Sequence, residues 1–282
     1  MVENRPWSDF LAHLVLIAGV IVVAFPLYVT FVASTLTYDQ IITVPMPLTP
    51  GDQLFENYGQ VLRAGSGKGS HAAVLPMLGN SLAMAIGVAV GKIAISIISA
   101  FAIVYFRFPL RRLFFWMIFV TLMLPIEVRI IPTYGVAASL HLLNSYSGLI
   151  LPLIASATAT FLFRQFYLTI PDELAEAARI DGAGPLRFFW DVLLPLSRTN
   201  IAALFVILFI LGWNQYLWPL LITSEENMYT VVIGIKRMIS GGDAANEWNL
   251  IMATAMLALL PPALVVVLMQ KWFVKGLVET EK

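Results

Sequence analysis

Six stretches of the chain are apolar over about the 20 residues that one helix needs to cross a bilayer core. They cover roughly residues 10–35, 75–106, 113–133, 146–166, 200–222 and 250–273. The second is longer than one crossing requires, so a helix there must tilt or begin outside the hydrocarbon. The polar connections differ in kind. Residues 36–74 are rich in Pro and Gly, residues 107–112 are short and basic, and residues 167–199 and 223–249 are long. The first apolar run is too long for a signal peptide and has no small-residue cleavage site after it, so it reads as a retained span. The pattern predicts an all-α membrane protein of six transmembrane helices, one transmembrane domain over residues 1–282 with a polar loop at 167–199.

Composition agrees. The chain is 59% hydrophobic and 12% charged, against roughly 25% charge in soluble domains. Its formal net charge is zero, which gives no general attraction to nucleic acid. Cysteine is absent, excluding thiolate chemistry, and His13, His71 and His141 are too scattered for a metal site. Lys and Arg set the orientation. With the N-terminus inside, eleven of them fall in cytosolic segments, whereas Arg63, Lys68, Lys236 and Arg237 lie outside. Both termini are therefore expected in the cytoplasm, and loop 167–199 with them.

That loop has internal structure. Pro171 suits a first helical turn, and Asp172 and Glu173 favour its positive end. Leu174, Ala177, Ala178 and Asp181 fall on one face. Gly182 can close the helix in a left-handed cap, Pro185 can open a second helix, and Pro195 should stop it. Phe188, Phe189, Trp190, Val192, Leu193 and Leu194 then form an apolar cluster in a loop that meets water. The residues alone leave two readings open, an amphipathic helix on the membrane interface or a surface for a partner.

The spacing Glu176-Ala177-Ala178, Gly182, then Val192-x-Leu194-Pro195, with Asp181-Gly182-Ala183 at its centre, resembles the EAA loop of bacterial ABC importer permeases. The likeness extends along the chain to the carbohydrate-uptake, MalG-like branch with its MetI-like transmembrane fold. It runs through Asn80-Ser81, Phe106-Arg107-Phe108-Pro109, Pro125, Pro132 and the run from Trp213 to Leu220. More narrowly, residues 3–7, 122–133, 155–166 and 212–221 are similar to the sn-glycerol-3-phosphate permeases of enteric-type bacteria. The resemblance implies that the loop is a coupling helix seated in a nucleotide-binding subunit, with Phe188 filling a pocket. It implies a second homologous permease, two copies of an ATPase that binds ATP and Mg, and a periplasmic solute-binding protein. It also implies location in the bacterial inner membrane. No cofactor, metal or catalytic residue is expected in this chain, and the cargo it implies is sn-glycerol-3-phosphate, with glycerophosphodiesters as a possible extension.

Charged and amide side chains within spans are the candidates for the substrate path. Arg129 and Lys92 lie at membrane depth, where charge is costly and functional by default. A phosphate dianion calls for such cations. For Arg129 a structural pair with Glu127 stays open, and for Lys92 snorkelling does. Glu127, Arg129, Asn80, Asn214, Gln215 and Trp218 are the candidates for the substrate path; Asn214 and Gln215 can bind hydroxyls there, or serve interhelical hydrogen bonding beside an aromatic belt. Residues 65–70, GSGKGS, evoke a P-loop but lack its first glycine and its final Ser or Thr. Other functions fit less well: a permease for a related carbohydrate, a self-sufficient secondary transporter, for which Glu127 is the single strong intramembrane acid, or a membrane enzyme, for which no motif exists.

Overall fold

The computed structural model describes residues 6–64, 73–121, 124, 126–239 and 246–278. The stretch 65–70, Pro125, residues 3–5 and the side chain of Glu127 lie outside the described part. The helices, in order, are α1 (Pro6–Ser34), α2 (Tyr38–Ile41), α3 (Leu54–Ala64), α4 (Val74–Tyr105), α5 (Arg111–Val120), α6 (Ile126–Ser139), α7 (Tyr146–Ile150), α8 (Ala157–Leu168), α9 (Asp172–Ile180), α10 (Pro185–Phe188), α11 (Leu194–Leu196), α12 (Arg198–Trp213), α13 (Leu217–Ile222), α14 (Val231–Met238) and α15 (Trp248–Val278). A 3₁₀ turn, Leu151–Leu153, continues α7, a π-helical turn, Phe189–Leu193, joins α10 to α11, and a second 3₁₀ turn spans Glu226–Met228. Among the described residues every regular element is helical.

Among the described residues three helices are continuous and apolar enough to cross a membrane: Phe10–Ser34, Val74–Tyr105 and Trp248–Lys271. The other three apolar stretches are each interrupted. The third is split between α5, which ends at Val120, and α6, which begins at Ile126. The fourth bends by 49° between Tyr146–Leu153 and Ala157–Leu168. There Ser156 stops the first segment and caps the second, its hydroxyl accepting from Ala159 N. The fifth ends at Trp213 and restarts at Leu217.

The chain divides into two compact units, residues 1–75 with 234–259, and residues 76–233 with 260–282. The first is organised around buried Asn57. Its amide donates to Ser34 O and Leu36 O, both at 2.9 Å, and its carbonyl accepts from Asn249 Nδ2 at 3.0 Å. These bonds satisfy carbonyls at the frayed end of α1, which would otherwise be orphaned. Thr35 Oγ1 accepts from Gly51 N at 2.7 Å, tying down the following loop. Most of α1 itself is bare, with Val22 and Val23 more than 70% exposed. That suits a lipid or protein neighbour rather than water.

The second unit has an apolar core of Met84, Val88, Ile130, Ala137, Leu149, Trp218 and Ile222. Gly87 and Gly91, four residues apart on α4, form a shallow groove of the small-xxx-small kind. A Cβ at Gly87 would lie 2.6 Å from Ile150 Cδ1, and one at Gly91 would overlap Ile154 Cγ2. The α4 backbone is therefore closely approached by the broken fourth stretch. Ser96, Thr160 and Ser156 form a short hydrogen-bonded chain one to two turns further along.

Candidate functional site

Two features of the second unit gather the predicted residues. The first is a hook formed by residues 171–197. Helix α9 carries Asp172 and Glu173 in its first turn, with Pro171 at the N-cap, one position earlier than its sequence role suggests. The helix closes as expected at Gly182, whose φ is +72°. Gly182 N donates to Arg179 O at 3.0 Å and Ala183 N to Ala178 O at 2.8 Å. This pair of bonds is a Schellman cap, which requires the left-handed residue. Pro185 opens α10 as expected.

Pro195 does not stop the second helix. The wider π turn before it hands over to α11 with Pro195 in the first turn, where its missing N–H has no intrahelical partner to lose. The stop falls at Ser197 instead. Its hydroxyl donates to Leu193 O at 2.7 Å, and the chain turns 69° into α12.

Phe188 was expected to fill a partner's pocket, but it is 6% exposed and packs inside its own chain. Its ring lies edge-on to Tyr105 at 5.3 Å, while Phe189 meets Phe101 at 5.0 Å and Tyr105 meets Tyr167 at 6.1 Å. Leu193 is fully buried. The reason is geometric. The π turn adds a residue to one turn and swings Phe188, Phe189 and Leu193 onto the same inner side, beneath the end of α4. What remains outside is a different apolar set, Ile180 (86% exposed), Leu186 (71%) and Trp190 (62%). Glu176, Ala177 and Asp181 are exposed beside them; Val192, Leu194 and Pro195 are half-buried. Ile180 and Leu186 escape the sequence reading because neither belongs to the helical face counted from Leu174. Between the hook and α4 a cleft of about 270 Å³ is bounded by Tyr105, Arg107, Ala178, Ala183 and Arg179.

The second feature is a cavity of about 140 Å³ lined by Lys92 from the middle of α4, Arg129 and Thr133 from α6, Pro152 and Ala155 at the fourth-stretch break, and Gln215 and Trp218 at the fifth. Arg129, Gln215 and Trp218 are thus brought together, with Lys92 added. Trp218 is a wall and not a free donor, since its Nε1 donates to Gly148 O at 3.1 Å. Asn214 is exposed on the break and does not line the cavity. Asn80 is not part of the cavity either. It is 3% exposed and its amide is fully used: Nδ2 donates to Asn227 O at 2.7 Å and Tyr229 O at 3.0 Å, and Oδ1 accepts from the Tyr146 hydroxyl at 2.6 Å. It serves as a clamp between α4 and the segment after α13. Among the described residues, no cluster of His, Cys, Asp or Glu is arranged to hold a metal ion.

Comparisons with known proteins agree with one another. Residues 92–279 match a family described as "Binding-protein-dependent transport system inner membrane component". Over all 282 residues, 100% of both chains, the sequence is 62% identical to the sn-glycerol-3-phosphate transport system permease proteins of Brucella melitensis and Rhizobium meliloti. It is 61% identical over the same span to that of Yersinia pestis. In structure it is similar to a chain of a bacterial ABC transporter involved in the import of the acidic polysaccharide alginate. That match has a TM-score of 0.81 at 20% identity and covers 97% of this chain and 99% of that one; at such identity it speaks for the fold.

Proposed function

Because the chain belongs to the family of binding-protein-dependent transport system inner membrane components, we propose that it is the permease half of an ABC importer whose cargo is sn-glycerol-3-phosphate. The observation that carries the cargo is identity of 61–62% along the entire length to permeases named for that transport. The hook supports the coupling role. A loop with its aromatic side locked into the bundle and Ile180, Leu186 and Trp190 left in solvent is shaped for a partner's apolar cleft, since isolated patches of that size on a polar loop are costly to leave bare. The hook also carries exposed charges of both signs, Asp172, Glu173 and Glu176 with Arg179 on α9 and the Arg187–Asp191 pair beyond it.

In this reading the six apolar stretches cross the inner membrane with both termini in the cytoplasm, as the Lys and Arg asymmetry favours. A second permease completes the path. Two copies of an ATPase bind ATP and Mg, and one of them seats the hook through Glu176, Ala177, Ala178, Asp181, Gly182 and Ala183. Closure of that dimer draws the two hooks together and turns the cavity outward, and hydrolysis resets it. A soluble binding protein outside the membrane supplies the substrate.

The test is reconstitution of the four-component complex in liposomes. Uptake of sn-glycerol-3-phosphate should require ATP inside, the binding protein outside and the ATPase subunits, and maltodextrin should not be carried. Uptake by this chain without the ATPase, or transport of maltodextrin in place of the phosphate ester, would overturn the assignment.

A further inference from the structure

The cavity at Lys92 and Arg129 has an unusual charge balance for its place in the chain. Two cations face the same space of about 140 Å³, and among the described residues that line it there is no carboxylate. Neither cation has a hydrogen-bonding or ion-pairing partner among the described residues. Each comes from a stretch apolar enough to lie at membrane depth, where a charge needs a counter-charge or a wet cavity. The two like charges repel each other, and the described lining sets no carboxylate against them, so an anion entering the space meets two cations and no competing acid.

The backbone around the cavity points the same way. Ala155 lies in the break of the fourth stretch and Gln215 in the break of the fifth, while Arg129 sits in the first turn after the break of the third. Irregular backbone at membrane depth is tolerated only where it is buried in protein or lines a water-filled cavity. Here breaks in three apolar stretches converge on one cavity, whereas α4 passes it unbroken and contributes Lys92.

We propose that this cavity is a substrate site within this one subunit, in which Lys92 and Arg129 together hold the phosphate of a phosphate monoester. The proposal rests on the glycerol-phosphate cargo argued above. A phosphate monoester carries about −1.5 to −2 charge at neutral pH, which two cations balance. The guanidinium offers a fork matched to two phosphate oxygens and the ammonium a compact third contact. The Gln215 amide is placed to meet a hydroxyl, and the Thr133 hydroxyl, which donates to Arg129 O at 2.7 Å, keeps its oxygen free to accept. Trp218 and Pro152 offer apolar walls to the carbon chain. The volume suits a small molecule, for an engineered cavity of about 150 Å³ admits benzene.

The experiment is equilibrium binding of radiolabelled sn-glycerol-3-phosphate to the assembled permease–ATPase complex in nanodiscs, without the binding protein. The intact complex should bind it, with inorganic phosphate competing and glycerol not. Lys92→Gln and Arg129→Gln should each weaken binding roughly tenfold or more, the order expected for losing a charged hydrogen bond. Arg129→Lys, which keeps charge and loses the fork, should fall between. Binding equal to wild type in either glutamine variant overturns the proposal. So does competition by glycerol as strong as by phosphate, a result that needs no variant to assemble. A wild-type complex that fails to import sn-glycerol-3-phosphate at all sinks the cargo assignment. Import that proceeds while the complex shows no binding sinks only this site.

Discussion

Gly91→Ala is the substitution whose cost can be worked most directly from the structure. The added Cβ would overlap Ile154 Cγ2 and sit 2.9 Å from Ile154 Cβ, where ordinary contact is 3.4–4 Å. Ile154 cannot turn aside easily, because a β-branched side chain is stiff at χ1. Either the side chain changes rotamer or the break at residues 154–156 moves. Overpacking of this kind costs about 1–3 kcal/mol, while exchanging Gly for Ala within a helix returns about 1 kcal/mol. The net expectation is a loss of about 0–2 kcal/mol, toward the upper end because the overlap falls on a stiff side chain. Gly87→Ala serves as the control. Its closest contact, at 2.6 Å, is the terminal Cδ1 of Ile150, which can swing away, while Cγ1 and Cγ2 at 3.1 Å need give only slightly, so helix propensity should offset most of the clash. Thermal unfolding of the detergent-solubilised complex reads the difference, at about 2–4 °C per kcal/mol for a chain of this order of size. A double-mutant cycle with Ile154→Ala, which removes the offending Cγ2, should recover about 1 kcal/mol as coupling. If Gly91→Ala matches Gly87→Ala in midpoint and shows no coupling to residue 154, the close approach of α4 to the fourth stretch is wrong.

Asn80→Ala should lower the unfolding midpoint of the complex by the equivalent of about 2–3 kcal/mol, because it orphans two carbonyls and the Tyr146 hydroxyl. Binding of sn-glycerol-3-phosphate by the surviving complex should stay at the wild-type level, and a loss of affinity with unchanged stability would return Asn80 to the substrate path. Gly182→Pro cannot adopt a φ of +72° and loses the bond from residue 182 to Arg179 O, a cost of about 3 kcal/mol or more. It should abolish stimulation of the ATPase by loaded binding protein, while Gly182→Asn, at home in the left-handed region, keeps it. Stimulation intact in the proline variant would show that the hook does not transmit.

The hook was largely legible because its geometry is dictated locally. Pro171, Asp172, Gly182 and Pro185 act within a turn or two of themselves, so capping and proline rules are enough to place them. The direction of Phe188 depends on Tyr105, more than 80 positions away, and on a π turn that no composition rule signals, so the burial of that ring was not legible. The apolar stretches were legible as lengths but not as shapes. Across residues 150–160 the local marks of the bend are Pro152 and the Ser156 cap, and neither sets its angle. Asn80 illustrates the limit at the candidate site. A lone buried amide reads the same whether it serves a solute or a carbonyl, and only the positions of Asn227, Tyr229 and Tyr146 decide. For Lys92 and Arg129 the residue types were informative, whereas their sharing of one cavity depends on how three breaks converge.

The ring pile of Phe101, Tyr105, Phe188 and Phe189 has a mechanical consequence. It fastens the hook to one end of α4, a rod of about 48 Å at 1.5 Å per residue, while Asn80 pins the rod near its other end. Lys92 stands about half of the way from pin to pile. A tilt of about 5° about Asn80 would carry Tyr105 about 3 Å and Lys92 about 1.6 Å. The rod therefore acts as reduction gearing of roughly two to one. A stroke delivered at the hook arrives at Lys92 as a shift of about 1.6 Å, about three times the roughly 0.5 Å range of hydrogen-bond lengths, enough to respace the Lys92 ammonium and the Arg129 guanidinium without dismantling the helix that carries one of them.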